Sequence, residues 1–145
     1  MITESPIELI YQAHRLLNEI ESTSRDYGGG RSLFSSEIHA LSKIDEHPGV
    51  NLTGLADSLD VSKSAASKVV KKLMDSDFIV KRFADDNKKE VYFFVTAQGK
   101  LAVQGHSRFR ERVFGPLFQR EAKLEAKERA SIVGFLSDLH TLLST

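Results

Sequence analysis

The stretch that decides the fold reads Asn51-Leu52-Thr53-Gly54-Leu55-Ala56-Asp57-Ser58-Leu59, then Asp60-Val61, then Ser62-Lys63-Ser64-Ala65-Ala66-Ser67-Lys68-Val69-Val70-Lys71-Lys72-Leu73. Asn51 and Ser62 are good N-caps, because a short side-chain oxygen can accept from an unpaired N–H of the first helical turn. Leu52, Leu55, Ala56 and Leu59 recur three and four residues apart and define one face of a short helix. After the tight Asp60-Val61 connection, a second helix places Ala66, Val69, Val70 and Leu73 on its inner face. Its outer face carries Ser64, Ser67, Lys68 and Lys71. Two short helices joined this way form a helix-turn-helix, whose second helix is the one that enters a DNA major groove.

Downstream, the period changes from helical to alternating. Ile79, Lys81 and Phe83 alternate with Val80, Arg82 and Ala84, while Val91, Phe93 and Val95 alternate with Tyr92 and Phe94. Asp85-Asp86-Asn87-Lys88-Lys89 between them reads as the polar turn of a β-hairpin. Asp85 and Asp86 would repel phosphate, so they are expected to face inward or to pair with Arg82 or a lysine. Upstream, Leu9, Ile10, Ala13, Leu16, Leu17 and Ile20 predict an amphipathic first helix, followed by a flexible break at Tyr27-Gly28-Gly29-Gly30. Ser35 or Ser36 is expected to cap a second helix carrying Ile38, Leu41 and Ile44, which His47-Pro48-Gly49 ends. Thr96 is expected to cap a fifth helix running to about Gly115-Pro116. A last helix from about Ala122 to Leu143 carries Ile132, Phe135, Leu136 and Leu139 on one stripe. The fold class is mainly α with a small β-hairpin wing, a winged helix-turn-helix flanked by N- and C-terminal helices.

Composition sets the outer limits. The chain has 145 residues, the size of one ordinary domain, and 41% hydrophobic content, enough to bury a core. It contains no cysteine, which excludes disulfides, thiolate zinc sites and thiol redox chemistry. No apolar run is long enough to span a bilayer, and Met1 to Ile10 lack a signal peptide's basic start and apolar stretch, so a cytoplasmic protein with no membrane partner is expected. Twenty basic and twenty acidic residues give zero net charge. That balance is unusual for a DNA binder, but the charge is polarised. Val61 to Met74 holds four lysines and no acid, and Lys81, Arg82, Lys88 and Lys89 follow. Glu19, Glu21, Glu121, Glu125 and Glu128 lie towards the two ends.

Side chains near the start of a recognition helix must meet the base edges. Ser62, Lys63, Ser64, Ser67, Lys68 and Lys71 are the residues so placed, with small side chains that admit close approach and hydroxyls and ammonium groups that bond bases or phosphates. Arg82, Lys88 and Lys89 give the wing a basic surface for the adjacent minor groove or backbone. A second reading, a winged helix used as a protein-interaction or dimerisation module with little DNA affinity, draws its support from the neutral net charge.

This series of residues resembles the MarR family of winged-helix regulators. The resemblance rests on Glu46-His47-Pro48-Gly49, on Asn51 to Ala56, on Val61 to Leu73, on Asp85 to Lys89 and on Thr96-Ala97-Gln98-Gly99. It implies a single domain over 1–145, with a DNA-binding lobe at 33–96 and dimerisation helices at 1–32 and 97–145. It also implies a homodimer on a pseudo-palindromic operator, usually as a repressor, and a small-molecule effector bound between lobe and dimer helices. Three residues depart from the family's pattern. Gly54 stands where a glutamate commonly completes a capping box, Lys88 and Lys89 stand where arginines are usual, and Asn87 replaces an aspartate of a wing salt bridge.

Other candidate sites are weaker. Glu37, His39 and His106 do not make a complete ligand set, since residues two apart do not share a helix face and Phe109 and Arg110 occupy the turn after His106. These histidines are read as surface or dimer-contact residues, with no metal and no cofactor. Phe34, Phe109, Phe114 and Phe118 could line an effector pocket and could equally be core or dimer contacts; they are read as core. No nucleophile elbow, phosphate loop or dinucleotide fingerprint is present, so an enzyme is not expected.

Overall fold

The computed structural model describes residues 4–145, apart from the side chains of Asn87 and Lys88. Its elements in chain order are α1 (Pro6–Glu21), β1 (Arg25–Asp26), β2 (Ser32–Leu33), α2 (Ser35–Glu46), α3 (Leu52–Leu59), α4 (Lys63–Asp75), β3 (Ile79–Ala84), β4 (Asn87–Val95), α5 (Ala97–Ala122) and α6 (Ala126–Leu143). The chain divides into two compact units, Met1–Ser107 and Arg108–Thr145.

The first unit holds the core. Ile38, Leu41 and Ile44 of α2, Leu55 of α3, Val70 and Leu73 of α4, and Phe78, Ile79 and Phe93 around the hairpin are all buried together. Burial of this apolar set, at about 25 cal/mol per Å², is the main favourable term holding the three helices and the hairpin in register. The turn between α3 and α4 is closed by Asp60, which adopts a left-handed conformation (φ 53°) and lets the chain reverse within two residues. Asp and Asn tolerate that conformation better than most residues do. The antiparallel β3–β4 ladder runs from Ile79 opposite Val95 to Phe83 opposite Val91. Ile79 and Phe93 are both buried, as the alternation predicts.

Three of the expected caps are present. Asn51 Oδ1 accepts the Gly54 N–H at 2.8 Å, Ser62 Oγ accepts the Ala65 N–H at 3.1 Å, and Thr96 Oγ1 accepts the Gly99 N–H at 3.0 Å. The cap of α2 differs from expectation. Phe34 takes the N-cap position with extended backbone, and Glu37 reaches back to accept the Phe34 N–H at 2.8 Å. One half of a capping box thus replaces the serine cap. The glycine segment is not a free break, because β1 and β2 pair across it, with Arg25 opposite Leu33. Gln98 of α5 also donates to the Gly29 carbonyl at 2.5 Å.

The hairpin turn is shorter than five polar residues suggest. Ala84 pairs with Asn87, leaving Asp85-Asp86 as the tip, and the register then shifts so that Phe83 faces Val91. Lys88, Lys89 and Glu90 form the resulting bulge in β4. Asp85 and Asp86 are exposed rather than inward-facing. The irregular register absorbs the extra residues as a bulge beside the two-residue tip.

In the second unit α5 does not stop at Gly115-Pro116 but continues through Pro116 to Ala122. The second unit's other helix, α6, starts four residues later than expected, at Ala126. Glu128 accepts the Glu125 N–H at 2.9 Å there, and Arg129 pairs with Glu121 at 3.2 Å. No described helix is long and apolar enough to cross a membrane.

Candidate nucleic-acid interface

Helix α4 presents the face that the sequence predicts. Ala66, Val70 and Leu73 are buried against α2 and α3, while Ser62, Lys63, Ser64, Ser67, Lys68 and Lys71 are all exposed. The half-buried Val69 completes the inner side. The helix-turn-helix therefore anchors α4 by one stripe and leaves the opposite side as an acid-free surface of hydroxyls and ammonium groups. The fourth lysine is turned away from it. Lys72 Nζ lies 3.7 Å from the Glu37 carboxylate, which is buried. That ion pair takes Lys72 towards α2 and leaves the exposed basic stripe to Lys63, Lys68 and Lys71.

The wing is less simple. Arg82 is exposed on the outer face of β3, with its guanidinium 4.9 Å from the centre of the Phe94 ring. That cation–π contact orients the group along the wing surface. Lys89 is exposed at the bulge. Lys88, also expected to touch DNA, has a side chain outside the described residues. Glu90 shares this surface, and its carboxylate accepts the Tyr92 hydroxyl at 2.5 Å. That hydrogen bond, with desolvation and the charges of Glu90 and Asp86 adding to it, raises the Tyr92 phenol above its usual range.

Between α3, α4 and the inner face of the wing lies an open groove of about 560 Å³. Val70 and Phe93 contribute to its apolar floor, and Thr53, Lys71, Lys81, Lys89 and Glu90 border it. Lys81, Thr53 and Glu90 are not among the site residues the sequence singles out. A signal for Lys81 is present nonetheless, because it alternates in phase with the buried Ile79 and so belongs to the inner face. The position of Glu90 depends on the β4 bulge, which the alternation does not announce.

The other candidates fare differently. His106 is buried rather than on the surface, with its ring edge-on to Tyr27 at 5.2 Å and to His39 at 5.7 Å. His39 is exposed. Among the described residues no group of three or more His, Cys, Asp or Glu could hold a metal ion. The four phenylalanines are not core. Phe34 is 47% and Phe118 42% exposed, and Phe109 and Phe114 are half-buried. Phe34 is committed to the α2 N-cap, and Phe114 and Phe118 pack one helical turn apart with ring centres 6.3 Å apart.

A helix-turn-helix followed by a β-wing, with one exposed basic face on its second helix, defines a winged-helix protein. The chain belongs to the MarR family, whose model matches residues 33–91. It is 30% identical over 132 residues to the uncharacterized HTH-type transcriptional regulator YybA of Bacillus subtilis (strain 168), covering 91% of this chain and 75% of that protein. The uncharacterized HTH-type transcriptional regulator YhjH of the same organism is 29% identical over 113 residues, covering 72% of this chain and 65% of its own length. The chain thus spans just under two thirds of that relative. Among solved structures, Streptococcus pneumoniae FabT in complex with DNA superposes with a TM-score of 0.68 at 18% identity, covering 95% of this chain and 92% of that one. The family is one of transcription regulators, not enzymes.

Proposed function

We propose that this chain is a sequence-specific, double-stranded-DNA-binding transcription regulator that works in the cytoplasm as a homodimer. In this reading residues 33–96 form the DNA-binding lobe, and 1–32 with 97–145 supply the dimerisation helices. The observation that carries it is the α4 surface, where Ser62, Lys63, Ser64, Ser67, Lys68 and Lys71 are exposed together with no acid among them. A helix of this width fits the major groove, and its first two turns supply side chains to base edges. Arg82, Lys88 and Lys89 of the wing act on the backbone or the adjacent minor groove. FabT, a protein of the same fold, was solved bound to DNA, which supports the same use here. Repression follows when the occupied operator overlaps a promoter, and a small-molecule effector acts by changing the spacing of the two lobes.

The test is fluorescence anisotropy with a labelled DNA duplex across a salt series. Neutralised phosphates release counterions, so log affinity falls linearly with log salt. Lys68→Glu with Lys71→Glu is expected to abolish that binding. Salt-independent binding, or none, would favour the protein-interaction module instead.

A further inference from the structure

A recognition helix in the major groove and a wing at the adjacent minor groove stand on either side of one sugar–phosphate strand. In this chain the space between helix and wing is the groove bordered by Lys71 of α4 and by Lys81, Lys89 and Glu90 of the wing. Three ammonium groups and one carboxylate border it, so it favours an anion but carries a single repulsive charge. All four are exposed, as a solvated channel for a backbone requires. Glu90 does not sit there loosely, because the Tyr92 hydroxyl donates to its Oε2 at 2.5 Å.

We infer that this groove seats the DNA phosphodiester backbone, that Lys81 binds a phosphate, and that Glu90 is a repulsive determinant that weakens binding to DNA of any sequence. The inference rests on the DNA-binding reading above and adds the division of labour within it. A carboxylate within a Debye length of phosphates, about 10 Å at 0.1 M salt, opposes every duplex alike. Base contacts from α4 are made only at a matching site. The carboxylate's penalty lowers affinity for matching and non-matching DNA by the same factor, so Glu90 sets the overall strength of binding and leaves discrimination between sequences to the base contacts of α4. Zero net charge acts in the same direction over the whole chain.

The experiment is anisotropy of the full chain on a random-sequence duplex of about 30 base pairs, long enough for two half-sites. Salt would be varied around 0.1 M. Lys81→Gln is expected to weaken binding about three- to tenfold and to lower the slope of log affinity against log salt by about one for each phosphate no longer neutralised. Glu90→Gln keeps an acceptor for Tyr92 but removes the charge, and it is expected to tighten binding about three- to tenfold. Tyr92→Phe removes the hydrogen bond and keeps the charge, and it is expected to leave affinity within about twofold. Melting curves of all three variants separate a changed DNA surface from a damaged fold. An unchanged or weakened Glu90→Gln, or an unchanged Lys81→Gln, would overturn the inference while salt-dependent wild-type binding kept the DNA reading intact. Wild-type protein that failed to bind at any salt would remove both.

Discussion

At the scale of the residue, the tightest constraint in the first unit is Gly105. A Cβ built there would collide with the Tyr27 carbonyl carbon and oxygen, which are backbone atoms unable to swing aside. Gly105→Ala must therefore push α5 away from the Tyr27 segment, at a cost of about 1–3 kcal/mol or more. Urea denaturation checks this, and an unchanged midpoint would mean that the two backbones separate at no cost. Gly54 has a milder reason. A Cβ there would lie 3.0 Å from a Val50 methyl and 3.3 Å from Asn51 Oδ1, so the residue that replaces the family's glutamate sits in crowded space. Tyr27 is coupled to pH. Burial raises its phenol above 10.0, with the Arg25 charge working the other way. A raised folded-state value means that the folded form holds its proton more tightly than the unfolded one. This contribution to stability is present below pH 10 and is lost as pH rises through the folded value. Tyr27→Phe is accordingly expected to flatten the alkaline fall in stability, measured by melting between neutral and strongly basic pH. On the DNA face, Lys68→Ala is expected to weaken binding by about 1–3 kcal/mol and to relax preference at one base position, which competition with a panel of mutated operators would reveal.

At the scale of the element, legibility in the sequence depends on whether the signal is local. Asn51, Ser62 and Thr96 cap their helices because capping needs only a short oxygen-bearing side chain and the next turn's N–H. The faces of α3 and α4 are likewise legible, since periodicity reports burial directly. Phe34 escapes such a reading because its cap function is carried by its backbone and by Glu37, so the residue type at the N-cap says nothing. The β1–β2 pair escapes it too, because two-residue strands are too short for alternation to register, and the glycines between them conceal it. The wing's bulge, and with it Glu90, lies beyond reach for the same kind of reason, since register is a property of two strands together. Pro116 reads as a stop, but α5 passes through it. Proline there removes one i→i−4 hydrogen bond and crowds the preceding turn, a cost that reaches about 3 kcal/mol in a regular helix interior. Pro116→Ala restores that hydrogen bond and is expected to raise thermal stability. A melting temperature that stayed the same or fell would mean that α5 accommodates the proline without cost.

At the scale of the whole molecule, the two ends of the chain carry apolar surface that the single chain leaves uncovered. Neither α1 nor α6 has a buried residue, although Leu16 in the former and Ile132 and Leu136 in the latter lie on apolar stripes. In α5 and α6, Leu117 is 62% and Leu136 48% exposed. The stripe is legible in the sequence, but its partner is not, since periodicity identifies the face to be covered and not what covers it. Helices of this kind at both ends suit a two-fold interface, in which each copy buries the same patch of the other. Leu136→Glu would place a charge into that patch, and burying an unpaired charge is far costlier than removing one apolar side chain. The variant is expected to sediment as a monomer at concentrations where the wild type is a dimer. It should also lose DNA affinity by at least about tenfold, because a dimer's second half-site engagement is intramolecular and a monomer's is not. The proposed dimer, by linking association to folding, is expected to make the wild-type melting temperature rise with protein concentration, and Leu136→Glu to remove that dependence. A variant that still sedimented as a dimer and kept its affinity would place the interface elsewhere. One that became monomeric yet bound DNA as tightly as before would break the link between dimerisation and operator recognition.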